Sequence, residues 1–278
     1  MQQKKAILVV SFGTTVPETR RANIDVLEQE IQAGFPEREV RRAFTSGMVR
    51  EKIAAEEGLP VDPPAKALKR LQRDGFDDVI VQPTHIIPGE EYDRLTAALE
   101  PFRRDGVFAS LKLGRPLLYH GGAEARQPDD YLIAVEALRR QLPTFAPADR
   151  GRVVLMGHGS GHVSDRCYDL LQERIEAAGL PVFTATVEGS RTVEAALEWL
   201  ERENARRVVL MPFMLVAGDH AMNDMAGEEA DSWQSRLSSA GYQVESHLHG
   251  LGENPAFRTI YLQHVREATE FPGLRECI

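Results

Sequence analysis

Cysteine is scarce in this chain: Cys167 and Cys277 are the only two in 278 residues. They stand far apart with no C-x-x-C spacing, which excludes a disulfide-stapled scaffold and a thiolate metal cage. Long apolar runs are lacking as well. None approaches the roughly 20 residues that span a bilayer, so a membrane protein is not expected. Basic tracts are missing: 33 Lys and Arg are scattered among 42 Asp and Glu, for a formal net charge of -9. That balance repels a phosphate backbone and argues against a nucleic-acid partner. The start, MQQKKAILVVSFGTT, places two lysines before a short apolar run but shows no small-residue cleavage site. It reads as a first strand rather than a signal peptide. A soluble, cytoplasmic protein is the expectation, and with 42% hydrophobic and 27% charged residues it has the means to bury a substantial core.

What is present is an alternation. Strand-like runs occur at 6–12, 39–46, 78–87, 110–118, 152–158, 181–188, 207–216 and 243–250. Amphipathic patterns such as TRRANIDVLEQEIQAGF and SDRCYDLLQERIEAAG fill the gaps, and MAGEEADSWQSRL has a helical pattern too. Strands alternating with helices predict parallel sheets covered on both faces. The order also repeats: VVSFGTT matches VLMGHGS, RAFTSG matches TATVEG, and GFDDVIVQPTHIIPGEE matches NARRVVLMPFMLVAGDH. The predicted fold class is therefore α/β, with two similar lobes, each a mainly parallel sheet flanked by helices. The stretch QLPTFAPADRGR (141–152) reads as the hinge, giving lobes 1–145 and 146–278.

Ligands of open parallel sheets bind beyond the carboxyl ends of the strands. In the second lobe those ends carry His158, Glu188 and His220, on three successive strands. Two imidazoles and a carboxylate suit a borderline divalent metal and leave coordination positions open. Taken singly, each histidine reads more readily as a hydrogen-bonded structural residue; the coincidence of three favours the metal. The matching positions of the first lobe, Phe12, Ser46 and Glu91, form a poor ligand set. Ser160 in GHGS lacks the G-x-S-x-G context of a nucleophile turn. His162 reads as a loop residue or proton relay, His85 as a satisfied core or near-site residue within an apolar strand, and His247 and His249 as one face of a late strand. His120 and His264 read as surface residues. Met211, Met214, Met222 and Met225 suit core filling and cavity lining better than thioether ligation.

Together, ILVVSFGTT, RAFTSGMVREKI, VQPTHIIPGEEYDRL, MGHGSGH, TVEG and MPFMLVAGDHAMNDMAGEEADSW make the chain resemble the class II tetrapyrrole chelatases. The resemblance is to the anaerobic-pathway sirohydrochlorin cobaltochelatase branch, and it runs nearly end to end. It implies a chelatase-like bilobal fold with the macrocycle in a cleft between lobes. It also implies Co²⁺ insertion into sirohydrochlorin during cobalamin biosynthesis, with no permanently bound cofactor. The family's metal and catalytic residues fall on His158, Glu188 and His220, all present; GHGS stands where the family has G-H-G-T. Under this resemblance His158 is the leading general base and a ligand. His220 is a ligand and second base, and Glu188 is a ligand and counter-charge. Asn223, Asp224 and Asp231 fall in the same family block without an assigned role. Arg20, Arg50, Lys52 and Arg115 lie near loops that could border the cleft and meet substrate carboxylates. Fe²⁺ or Ni²⁺ in place of Co²⁺, a non-catalytic metal or tetrapyrrole carrier, and a homo-oligomeric state stay open.

Overall fold

The computed structural model describes residues 4–122 and 127–271, so Cys277 lies outside the described residues. Two compact units are present, one running to Tyr119 and resuming at Arg258, the other spanning His120–Phe257. These limits differ from the expected 1–145 and 146–278. The stretch 141–152 joins a helix to a strand inside the second unit, and the C-terminal helix ends in the first.

The first unit contains β1 (Lys5–Ser11), α1 (Pro17–Arg20), a π turn (Arg21–Asp25), α2 (Val26–Gly34), β2 (Glu39–Phe44) and α3 (Gly47–Glu57). It continues with α4 (Pro64–Arg73), β3 (Asp78–Pro83), α5 (Glu90–Arg104) and β4 (Ser110–Leu113). The second unit contains α6 (Asp130–Arg139), β5 (Gly151–Gly157), α7 (Cys167–Ala177), β6 (Val182–Thr186), α8 (Val193–Arg202), β7 (Arg207–Pro212), α9 (Trp233–Ser239) and β8 (Gln243–Ser246). α10 (Pro255–Arg266) and β9 (Thr269–Glu270) are the last elements among the described residues.

The sheets run β2-β1-β3-β4-β9 and β6-β5-β7-β8. All ladders are parallel except β4 with β9. The shared order, second strand, first, third, fourth, bears out the repeat read from the sequence. β1 and β5 are apolar and buried almost throughout, without in-out alternation, because helices cover both faces. On one face of the first sheet, Leu8, Val10, Val79 and Val81 join Leu68, Leu71, Leu95 and Leu99 of α4 and α5. In the second, Val154, Met156, Val208 and Leu210 join Ala196, Leu200 and Leu237 of α8 and α9. Each such fully buried aliphatic side chain contributes about 1.5–3 kcal/mol relative to exposure.

Several strands stop short of their expected ends. β3 and β7 both finish on proline, Pro83 and Pro212, which has no N–H to extend a ladder. The apolar residues beyond, Phe213, Leu215 and Ala217, are buried in a loop instead. The expected helix in MAGEEADSWQSRL begins only at Trp233, with Ser232 accepting the Ser235 N–H as its N-cap. No helix among the described residues is long and apolar enough to cross a membrane.

Candidate active site

The carboxyl ends of β5, β6 and β7 are neighbours in the second sheet, and each leads directly to one expected residue. His158 follows the last residue of β5. Glu188 lies two beyond β6, its N–H donating to the His158 carbonyl at 2.9 Å, so the two loops run paired. His220 stands at the far end of the β7 loop, which is fixed from two sides. Phe213 N–H donates to Met156 O at 2.7 Å, while Leu251 and Gly252 N–H donate to Met214 O and Leu215 O, each at 2.9 Å. An apolar, anchored loop thus carries an exposed imidazole.

The rings of His158 and His220 meet edge to face, centroids 4.9 Å apart and planes at 88°. Glu188 Oε2 lies 4.0 Å from His158 Nδ1. All three side chains are open to solvent, at 47% for His158, 60% for Glu188 and 36% for His220. The structure therefore brings the three together. It does not hold them in a closed cage, and no set of three or more His, Cys, Asp or Glu among the described residues is already arranged around a cation position.

Each histidine has one nitrogen committed. His158 Nδ1 lies 2.9 Å from Gly159 O, an acceptor only, so Nδ1 carries the proton and Nε2 keeps its lone pair. His220 Nδ1 is 2.5 Å from Asp224 Oδ2, which likewise directs the ring's other nitrogen outward. The sequence did not assign this contact to Asp224; its signal was the i, i+4 spacing to His220. Asp219 accepts from Asn223 Nδ2 at 2.8 Å, pairing the next residues of the same turn. Beneath the β5 loop lies Tyr168, fully buried. Burial pushes its phenol up, and backbone N–H groups of Gly159 and His158 oppose that rise.

The other candidates fall elsewhere. His162 caps the short helical turn Val163–Arg166, its Nδ1 2.9 Å from Ser164 Oγ. His120 and His264 are buried, not surface residues; Asp130 accepts the His120 N–H, and His264 Nδ1 faces Arg115 O at 3.1 Å. His247 and His249 lie beyond β8, paired with Glu245 and Glu253 at 2.8 Å each. Met211 and Met225 are core residues, Met214 is half-buried and Met222 is exposed. Arg20 and Arg115 do not wait for a substrate: both are buried, held by Glu57 and Glu267. Lys52 is exposed and Arg50 half-buried. In the first unit Phe12 is exposed, Ser46 caps α3, and Glu91 pairs with Arg94 in the first turn of α5, so that set is not a second metal site.

His85 lies past the end of β3, and neither ring nitrogen has a partner among the described residues, which corrects the satisfied-core alternative. Burial lowers its pKa from 6.5 to about 4, with Glu91 opposing. Between those values the unfolded chain takes up a proton that the native imidazole refuses, so stability falls as pH drops from 6.5 toward 4. The loss from this residue is at most about 3 kcal/mol. Urea midpoints measured at pH 7 and pH 4.5 are expected to differ less in His85→Gln than in the parent chain.

Residues 5–270 match the family described as cobalt chelatase (CbiK). The chain belongs to that family. The sirohydrochlorin cobaltochelatase of Salmonella typhimurium is 40% identical over 265 residues, 95% of this chain and 96% of the relative. Sirohydrochlorin cobaltochelatase CbiKC of Nitratidesulfovibrio vulgaris is 35% identical, over 95% of this cobalt chelatase family member and 90% of the relative. Among solved structures, a multi-domain Deinococcus radiodurans protein described as similar to chelatases superposes with a TM-score of 0.59 at 20% identity. It covers 95% of this chain and 55% of its own, a likeness of fold.

Proposed function

We propose that this chelatase inserts Co²⁺ into sirohydrochlorin, with His158, Glu188 and His220 receiving the metal. The observation that supports this most is the pair of edge-to-face imidazoles, each with Nδ1 committed and Nε2 left to coordinate, beside a mobile-length carboxylate. The reaction exchanges one Co²⁺ for the two protons of the macrocycle's pyrrole N–H groups. Nitrogen and oxygen ligands on one wall leave the opposite side of the ion for the ring nitrogens. A softer thiolate cage would hold the ion against transfer. His158 Nε2, released from the metal as the ring takes it, is the first acceptor for a pyrrole proton; His220 is the second. The chain works without a resident cofactor, in the cytoplasm.

Purified protein mixed with Co²⁺ and sirohydrochlorin should speed the spectral change of metallation well beyond the spontaneous rate. Tight binding of both with no acceleration would make the protein a carrier, and faster turnover with Fe²⁺ or Ni²⁺ would reassign its metal. Asp224→Ala removes the acceptor at His220 Nδ1 and so frees the ring to turn. Co²⁺ affinity is expected to fall about 10–100-fold, the usual cost of losing a partner that orients a metal-binding histidine. Titration of the visible Co²⁺ bands measures it.

A further inference from the structure

The geometry points to Asp165 as a positioning residue that clamps the His158 loop to the Glu188 loop and so sets the separation of these two groups. This inference rests on the proposed metal site. Asp165 sits in the turn Val163–Arg166 that leads into α7, and it is buried, although the chemistry above gives it no part. Its Oδ1 accepts the Ser160 N–H at 3.1 Å, two residues beyond His158. Its Oδ2 accepts both the N–H and the hydroxyl of Ser190, each at 2.8 Å, two residues beyond Glu188. One carboxylate thus spans the two loops at equivalent points, with three donors and no cation among the partners.

The glycines between show how closely the loops are drawn together. Gly159 turns at φ +77, and a Cβ there would lie 2.4 Å from Gly189 N and 2.7 Å from Thr186 Cβ. A Cβ on Gly189 would lie 2.4 Å from Asp165 Oδ1. The two backbones and the carboxylate fill the same small space, and neither loop can carry a side chain into it. Before and at the pair, the Val187 N–H donates to the Gly157 carbonyl at 3.1 Å and the Glu188 N–H to the His158 carbonyl at 2.9 Å. These backbone ties end at His158 and Glu188, and the Asp165 carboxylate holds the two loops together beyond them. A carboxylate is needed because all three donors converge on one group: an amide offers a single acceptor oxygen and turns its NH₂ toward a loop N–H.

Asp165→Asn and Ser190→Ala, with His158→Ala as the reference, test this. In Asp165→Asn the cobalt-insertion kcat is expected to fall about 10–100-fold while KM for sirohydrochlorin changes less than about twofold, since misplacement of catalytic groups acts on the reacting geometry. The visible bands of Co²⁺ added alone should weaken or shift, with circular dichroism and melting close to the parent. Ser190→Ala, which removes one of three donors, should show the same split at smaller size. Parent-like kcat and Co²⁺ bands in Asp165→Asn, with His158→Ala inactive, would overturn the clamp and leave the metal site standing. An active His158→Ala would overturn the underlying site instead. Equal losses in kcat, KM and melting would make Asp165 a folding residue only and also refute the proposal.

Discussion

Replacing His158 by alanine is expected to lower the cobalt-insertion kcat roughly 10²–10⁴-fold, the range typical of a positioned proton acceptor, while sirohydrochlorin still binds. The expectation follows from placement. His158 neighbours both others, its ring centroid 4.9 Å from that of His220 and its Nδ1 4.0 Å from Glu188, so its loss removes the proposed ligand that adjoins each of them. The ring is 47% exposed and packs no core, so stability should change little. Stopped-flow absorbance with saturating Co²⁺ separates the effects. A variant that regains its rate at high Co²⁺ has lost affinity alone, and one that stays slow has lost the base as well.

The second large effect is expected at the amino ends of strands in the first sheet, in the unit that does not carry His158, Glu188 and His220, and on stability alone. Arg38 donates from Nη1 and Nη2 to both carboxylate oxygens of Asp78 at 3.0 and 2.9 Å, with each side chain only 10% exposed. It also reaches the carbonyls of Ala6 and Asp78, bracing the amino ends of β1 and β3. Arg38→Met leaves a buried carboxylate with Lys5 at 3.8 Å as its remaining cation among the described residues. Breaking such a pair costs about 3–5 kcal/mol, whereas removing both partners costs much less. Urea unfolding should therefore show a large loss in Arg38→Met, substantial recovery in Arg38→Met with Asp78→Leu, and insertion kinetics unchanged in both. Lower kcat in these variants would mean that the stability of the first unit is not separable from the chemistry placed on the second.

The repeat and the proximity of His158, Glu188 and His220 were legible because they rest on local pattern. Apolar runs alternate with amphipathic ones, and a side chain placed just past a parallel strand has few places to go. Strand limits were not legible at Phe213–Ala217, because a buried loop and a buried strand share the same apolar composition. Nor were the partners of arginines: nothing near Arg20 or Arg115 in sequence announces Glu57 or Glu267. Asp165 reads locally as the acidic first turn of a helix, and its link to Ser190 exists only once β5 and β6 lie side by side. The satisfied-core alternative for His85 failed for a related reason. An apolar neighbourhood predicts burial, but it says nothing about whether the ring nitrogens find partners.

Diffraction at the cobalt absorption edge from crystals exposed to Co²⁺ tests the metal site most directly. The expected result is one strong anomalous peak about 2 Å from Nε2 of His158, Nε2 of His220 and a carboxylate oxygen of Glu188. A peak seated on other residues, with these three side chains unmoved, would contradict it.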